Sequence, residues 1–480
     1  MTTDSKWQDR LSNKDGIRHV DYAHFCAERF DGRVCFSPQL GWMQWNGTAW
    51  EIGHKQAPAM DGMTKVSNGL LAEAGQGGAD WLAEAAMNLR RAHHRKAIAT
   101  ELESLPELHV DASSVDAHPH LLTFSNGIVN LDTGELRPAY PECLLTQTAP
   151  TNYNPDAECP RWLQFLNGVF PGQSEVIDYM QTLIGYGITG HNREHAFAVW
   201  FGDKGRNGKG TIIRALKNVF GPSIVKDVDF SVFERGGNAH TEDIARMRTA
   251  RIVTASEGSE GAPMNDEVLK RHAGGDSIQA RHLYRETFEY VPRYLIVLLS
   301  NYLPQFQSQG AAIWSRVRAV EFTESFAGRE DRHLDEALAA EAEGIAAWCV
   351  RGAVRYHRDG LKSPEAVSAT TRKHKEAVNP LAPLIDDLFV FDADAKVRRS
   401  EFNQALKEWK DANGIARNRF TPQFTKFRLA ESGVREVKTD GTWHLTGIRL
   451  TPEYGGTAGV RIAPVAILNS PGTPRVFPAA

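Results

Sequence analysis

The chain is poor in cysteine. It has five, Cys26, Cys35, Cys143, Cys159 and Cys349, scattered and without a C-x-x-C pair. That number and spacing argue against a disulfide framework and against a thiolate zinc site. Long apolar runs are missing too: the longest stretches, such as residues 294–300, fall far short of the ~18–20 residues of a membrane span. The opening MTTDSKWQDR lacks the apolar core of a signal peptide, so the expectation is a cytoplasmic protein with no membrane partner. There is no excess of positive charge. With 55 Lys and Arg against 59 Asp and Glu the net charge is −4, which excludes a wholly basic nucleic-acid coat and leaves only local patches for DNA. No repeat at solenoid periods stands out. What remains is 480 residues, 41% hydrophobic, enough for about three domains and a large core.

Residues 1–160 read as a mixed α+β region. FSPQLGWMQWNGTAWEIG predicts a hairpin with a two-residue turn at Asn46-Gly47, and LLTFSNGIVNLDTGELRP a second β-rich stretch. ADWLAEAAMNLRRAHHRKAIATELESL between them predicts one helix, its basic cluster from Arg90 to Lys96 more a solvated face than a ligand site. Residues 161–195 turn helical. Val176, Ile177, Met180, Leu183 and Ile184 form one apolar stripe, with Ser174 as the expected N-cap.

Chemistry enters at AFAVWFGDKGRNGKGTIIRALKNVF, residues 196–220. A buried strand breaks into a glycine-rich turn and resumes as a helix, the setting of a phosphate-binding loop. Gly205, Asn207, Gly208 and Gly210 let backbone N–H groups face a phosphate, and Lys209 reaches the β- and γ-phosphates. The pattern departs from the usual one twice. Asp203 stands where the first glycine is counted, and Gly210 follows the lysine, which shifts the magnesium hydroxyl to Thr211.

Downstream, TARIVTASEGSEG predicts a second strand beside the loop strand, ending near Glu257, with Glu260 in reserve. A carboxylate there orients the attacking water or holds the metal. PRYLIVLLSNYLPQ predicts a third strand, with Asn301 at its tip as a polar sensor for the γ-phosphate. AAIWSRVRAVEF places Arg316 and Arg318 on alternate positions, suited to the γ-phosphate of a neighbouring subunit. Between the second and third strands, Ser277–Tyr284 and Thr287–Val291 predict a projecting hairpin. Arg281, His282, Tyr284 and Arg285 near its tip suit a single-stranded backbone and its bases.

The ordered set GRNGKGT, ASEGSEG, GGDSIQARHLY, LLSNYLP and IWSRVRAVEF resembles the superfamily-3 helicase core of phage and plasmid primase–helicases, the group that includes the poxvirus nucleoside triphosphatase. NGIVNLDTGELRP, CPRWLQFL and LIGYGITG resemble that group's N-terminal extension. The resemblance spans roughly residues 120–360. It implies an α/β, AAA+-like P-loop ATPase core over 196–330, assembled as a ring, usually a hexamer, that translocates on single-stranded DNA with the hairpin as its DNA contact. It implies Lys209 on phosphate, Glu257 and Glu260 as the acidic motif, Asn301 as the sensor and Arg316 or Arg318 as the finger. ATP and Mg2+ are the implied cofactors, with Thr211 and Glu257 at the metal. The first 150 residues have no D-x-D pair after a strand, so primase activity is not expected; a separate primase or replication initiator is the partner this leaves room for.

Residues 331–379 read as a helical lid or linker, and 380–451 as a winged-helix domain. APLIDDLFVF is its first expected helix, RSEFNQALKEWKDANG its second, capped by Ser400, and TPQFTKFRLAESG its third, capped by Thr421; a hairpin turns at Asp440-Gly441. Nine cations against three carboxylates over 396–428 suit duplex DNA, with Gln423, Lys426 and Arg428 entering the major groove. Residues 452–480 read as a flexible tail. The leading expectation is an ATP-dependent DNA helicase of phage, plasmid or mobile-element replication, acting on single-stranded and forked DNA. The alternatives are an ATP-binding origin-recognition or loading switch that does not unwind, which Gly210 favours, and a non-enzymatic assembly protein, which the intact Lys209, Glu257, Asn301 and both arginines disfavour.

Overall fold

Apolar and aromatic alternation near the N-terminus produces strands in the computed structural model. The structure describes residues 4–11, 17–237, 241–256, 263–281, 287–306, 311–377, 381–416 and 420–455. Helices α1 (Asp4–Leu11) and α2 (His19–Arg29) lead into an antiparallel sheet of β1 (Val34–Ser37), β2 (Gly41–Trp45) and β3 (Trp50–Ile52). The expected two-residue turn has four residues, because Trp45 pairs with Trp50. The Asn46 side chain accepts from the N–H groups of Thr48 and Ala49, both at 2.9 Å, and so closes the longer loop. Helices α3 (Ala57–Gly75), α4 (Asp80–Asn88) and α5 (Ala92–Leu102) follow. The single helix expected across 79–105 is therefore two. At the break Arg90 turns to Ser67 Oγ (2.9 Å) and Asn68 Oδ1 (2.6 Å), and Arg95 reaches Thr64 Oγ1 (2.9 Å). Two cations of the basic cluster thus tie helices together. Tyr22, Phe25, Trp42 and Trp81 fill this region's own core.

Strands β4 (Leu121–Phe124), β5 (Gly127–Asn130), β6 (Glu135–Arg137) and β7 (Thr148–Ala149) form a second sheet in the order β6-β5-β4-β7. Leu122, Phe124 and Val129 of this sheet share one core with the central part of the chain. Helices α6 (Pro160–Val169) and α7 (Ser174–Thr189) belong to the same core. Gln173 is the N-cap of α7, so Ser174 opens its first turn.

The centre is a five-stranded parallel sheet. Its elements run β8 (Phe197–Phe201), α8 (Lys209–Ile224), β9 (Val225–Asp229), α9 (Thr241–Met247), β10 (Ile252–Ser256), α10 (Asp266–Gly274), the hairpin β11 (Ile278–Arg281) and β12 (Thr287–Tyr290), β13 (Leu295–Ser300), α11 (Ala311–Trp314) and β14 (Val317–Glu321). The strand order is β14-β8-β13-β10-β9. The acidic-motif strand β10 is therefore not beside the loop strand β8. Strand β13 lies between them, and its six residues are all buried, as a central position requires. Registers align the strand tips: Ser256 is level with Leu299, and Ser300 with Phe201. Helices α12 (Leu334–Ala340), α13 (Ala342–Asp359) and α14 (Glu365–Ala377) follow, with Ala346, Val350 and Ala353 of α13 in the core that α7 and α8 share.

One buried arginine joins these layers. Arg251 donates from Nε to Gln147 Oε1 (2.8 Å), from Nη1 to the carbonyls of Pro119 and Thr189 (2.6 Å each), and from Nη2 to the Leu121 carbonyl (2.9 Å). Burial lowers its guanidinium to about 10, with Asp116 acting in the opposite direction. Arg251→Met leaves these acceptors unpaired in the interior and should destabilise the fold by about 3 kcal/mol. Arg251→Lys should rescue little, since an ammonium lacks the planar fork. Denaturant midpoints measure both, and a wild-type midpoint for Arg251→Met would remove the arginine's structural role.

The structure divides after Lys375. In the second unit, β15 (Phe389–Arg398), α15 (Arg399–Ala412), α16 (Pro422–Glu431), β16 (Arg435–Thr439) and β17 (Thr442–Leu450) give an antiparallel sheet of order β15-β17-β16 beside two helices. The first helix expected there is instead a short 3-10 turn at Ala382–Leu384 followed by β15. Phe389 and Phe391 pair with Leu450 and Ile448, and this cross-strand contact outweighs local helical preference. Arg398 rather than Ser400 caps α15. Thr421 caps α16 as expected, its Oγ1 accepting from Phe424 N at 3.3 Å. Asp440 and Gly441 turn the β16–β17 hairpin with φ of 49° and 79°. No helix among the described residues is long and apolar enough to cross a membrane.

Candidate active site

The site grows from the turn between β8 and α8. Gly208, the N-cap of α8, has φ 93°, and a Cβ there would come within 2.7 Å of Val169 Cγ2, so both conformation and space call for glycine. Gly202 is equally constrained by the Phe322 carbonyl, 2.3 Å from where a Cβ would be. Asn207 is buried and donates from Nδ2 to the Lys204 carbonyl (2.7 Å), which holds the loop curled. Lys209 is buried at the first position of α8, and its Nζ lies 3.4 Å from both the Gly202 carbonyl and Asn301 Oδ1. Loop lysine and strand-tip asparagine, 92 residues apart in sequence, are thus brought together where helix N–H groups point outward.

Burial lowers the Lys209 ammonium to about 8, opposed by the nearby Asp203 carboxylate. An arriving polyphosphate stabilises the charged form and raises that value. Nucleotide binding near pH 8 should therefore take up part of a proton, and affinity should fall as pH rises past about 8. Calorimetric titration in two buffers of different ionisation enthalpy checks this; equal heats would refute it.

Thr211 Oγ1, in the first turn of α8, accepts from Arg214 Nη2 at 3.0 Å, and Arg214 is held by Asp335 through contacts of 3.1 and 3.2 Å. Gly210 is exposed in the same turn. Glu257 and Glu260 lie outside the described residues, although Ser256, just before Glu257, ends β10 level with the other strand tips. His282, Tyr284 and Arg285 also lie outside them; Arg281, the last described residue of β11, is exposed.

Arg316 and Arg318 are not gathered at Lys209. Arg318 is level with Ala198, three residues or about 10 Å back along the sheet from the tip of β8. It lies close enough to Tyr179 and Tyr186 of α7 to act on their charge. Arg316 lies by Gly274 at the end of α10, its Nη2 3.8 Å from where a Cβ would be. The Nε atoms of both arginines are buried without a hydrogen-bond partner among the described residues.

The segment after β14 was not foreseen as part of the site. Ser325 Oγ donates to the Gly205 carbonyl (3.1 Å), Phe326 N to the Arg206 carbonyl (2.9 Å), and Arg206 pairs with Glu330. This strap laces the apex of the loop. No motif announces it, since two of these three contacts end on backbone carbonyls. In the second unit, Gln423 and Lys426 are exposed on α16, whereas Arg428 is 9% exposed and lies over the rings of Phe424 and Phe427 at 5.2 and 5.6 Å. Arg428 is thereby removed from the set expected to enter a groove.

Residues 23–171 match the family described as D5 N terminal like. Among curated proteins, the chain is 24% identical over 327 residues to "Putative helicase L207/L206" of Acanthamoeba polyphaga mimivirus, covering 62% of this chain and 34% of that protein. It is 25% identical over 224 residues to "Putative helicase 184R" of Invertebrate iridescent virus 6, covering 44% and 23%. The chain therefore spans about a third or less of the length of these relatives. Among solved structures, the NrS-1 C-terminal region aligns with a TM-score of 0.49 and 12% identity, over 86% of this chain and 95% of that one. The resemblance to phage and plasmid, poxvirus-type primase–helicases, read from the ordered motifs, is borne out by the family match and the viral relatives.

Proposed function

We propose that residues 196–330 form a P-loop, AAA+-like ATPase core of the superfamily-3 kind, and that the chain acts as an ATP-dependent DNA helicase in phage, plasmid or mobile-element replication. The observation that carries this reading is the meeting of buried Lys209 with Asn301 at the N-terminus of α8, where three parallel strand tips are level. There the lysine and the loop amides bind the β- and γ-phosphates, and Asn301 holds the γ-phosphate or the attacking water. The hydroxyl of Thr211 is an oxygen donor of the kind a hard cation takes, and with Glu257 it would hold Mg2+, which when bound neutralises phosphate charge. Arg316 and Arg318, set back from their own loop, serve a neighbour's nucleotide in a ring, hexameric by resemblance. The hairpin contacts the translocating single strand, with Arg281, His282, Tyr284 and Arg285 at its end. The second unit is a winged helix that meets DNA through Gln423 and Lys426.

A loading switch is the second reading. Thr211 is engaged by Arg214 and follows Gly210 rather than Lys209 directly, which suits slow turnover. ATP hydrolysis with and without single-stranded DNA, run beside strand displacement on a fork, separates the two. Stimulated hydrolysis with displacement is expected. Stimulation without displacement selects the switch, and no hydrolysis in either condition sinks both.

A further inference from the structure

The outer side of α16 is not built like a helix that reads base edges. Its exposed positions include Gln423, Lys426 and Phe427, and Phe427 is 60% exposed. Arg428 lies over the Phe427 ring, which braces one side of the ring and leaves the residue open to solvent. Lys426 Nζ reaches Glu436 Oε2 of β16 at 2.5 Å, so this side of the helix adjoins the β16–β17 hairpin. Glu436 is opposite Leu445, and the next pair on that face, Lys438 and Trp443, stands by the turn. Lys438 Nζ is 5.9 Å from the Trp443 ring, and Trp443 is 44% exposed.

Two open aromatic rings set among lysines are the ingredients of a stacking platform. Every base has a π-face, and a phosphate lies beside each base for an ammonium to meet. Charge complementarity favours an anionic occupant, since residues 396–443, which include both rings, carry eleven cations against six carboxylates in a chain of net charge −4. In a duplex the bases are stacked on one another and offer these rings nothing.

We propose that Phe427 and Trp443 form a platform for unpaired bases of single-stranded nucleic acid, with Lys426 and Lys438 on its backbone. The inference deepens the reading that the second unit meets nucleic acid, and changes the form recognised from duplex to single strand. It does not depend on hydrolysis at Lys209.

The test uses the full chain without nucleotide, binding a fluorescent oligothymidylate or a blunt duplex of equal length across a salt series. Each of Phe427→Ala and Trp443→Ala should weaken single-strand binding about tenfold without changing the salt slope or duplex affinity. Lys438→Ala should lower the slope of log K against log salt by about 0.7. Both rings are exposed, so unchanged thermal melting confirms that the variants fold. Equal weakening on single strand and duplex would overturn the platform in favour of groove binding. No change on either would mean that the face meets a protein, and would sink the nucleic-acid reading of this unit as well.

Discussion

Lys209→Ala should lower kcat for ATP hydrolysis by about 10²–10³-fold while the protein melts no lower than wild type. The two halves of that expectation have one cause. Lys209 is buried, and burial has drawn its ammonium down to about 8, so the empty protein holds the charge at a cost. Among the described residues, the Gly202 carbonyl and Asn301 Oδ1, both at 3.4 Å, receive it. A group so weakly satisfied suits the proposed role of meeting an anion that arrives later. Removing it relieves the ground state and takes a fixed positive charge from the developing phosphoryl charge. Lys209→Met, which keeps the apolar stem, should be at least as stable as wild type and equally inactive. Steady-state kinetics and thermal melting, run on both variants, decide the matter. A variant that lost stability in proportion to activity would make Lys209 a structural residue.

The parts legible in the sequence were those with strong local signals. The run 196–201, the glycines after it and Lys209 announce strand, turn and helix, and the structure forms them at β8 and α8. Asn301 was recognisable because it follows six consecutive apolar or small residues, all of which are buried. Strand order was not legible. Nothing local in residues 252–256 says that β13 will lie between them and β8, because β8 and β13 are both buried at every residue and their apolar runs do not rank them. The strap over the loop apex was hidden because its anchors on the loop include backbone carbonyls, those of Gly205 and Arg206, which carry no residue signature. At the C-terminal end, residues 389–398 carry polar and apolar residues that suit either state. Their pairing with β17, 46 to 61 residues later, made them a strand.

Arg318→Ala should cost about 10³-fold or more in kcat, and an equal mixture with inactive Lys209→Ala protein should recover part of the lost hydrolysis. Neither arginine is at its own loop. Arg318 is about 10 Å back along the sheet; Arg316 donates to the Ala312 carbonyl and Arg318 to those of Ser315 and Val317, while both Nε atoms are buried without a partner among the described residues, which leaves their surroundings for another chain to complete. In a head-to-tail ring each interface unites one protomer's loop with its neighbour's arginine. Random assembly of the two variants then gives about one interface in four with both parts intact, whereas action within one chain gives none. Arg318→Lys separates position from charge, because an ammonium keeps the charge but not the planar fork; it should recover little. The tyrosines near Arg318, Tyr179 and Tyr186, are buried, so far-ultraviolet dichroism and sedimentation must show that Arg318→Ala folds and assembles before its kinetics are read. If the folded, assembled mixture stays as inactive as its components, catalysis does not pass between chains, and the ring loses its chemical rationale.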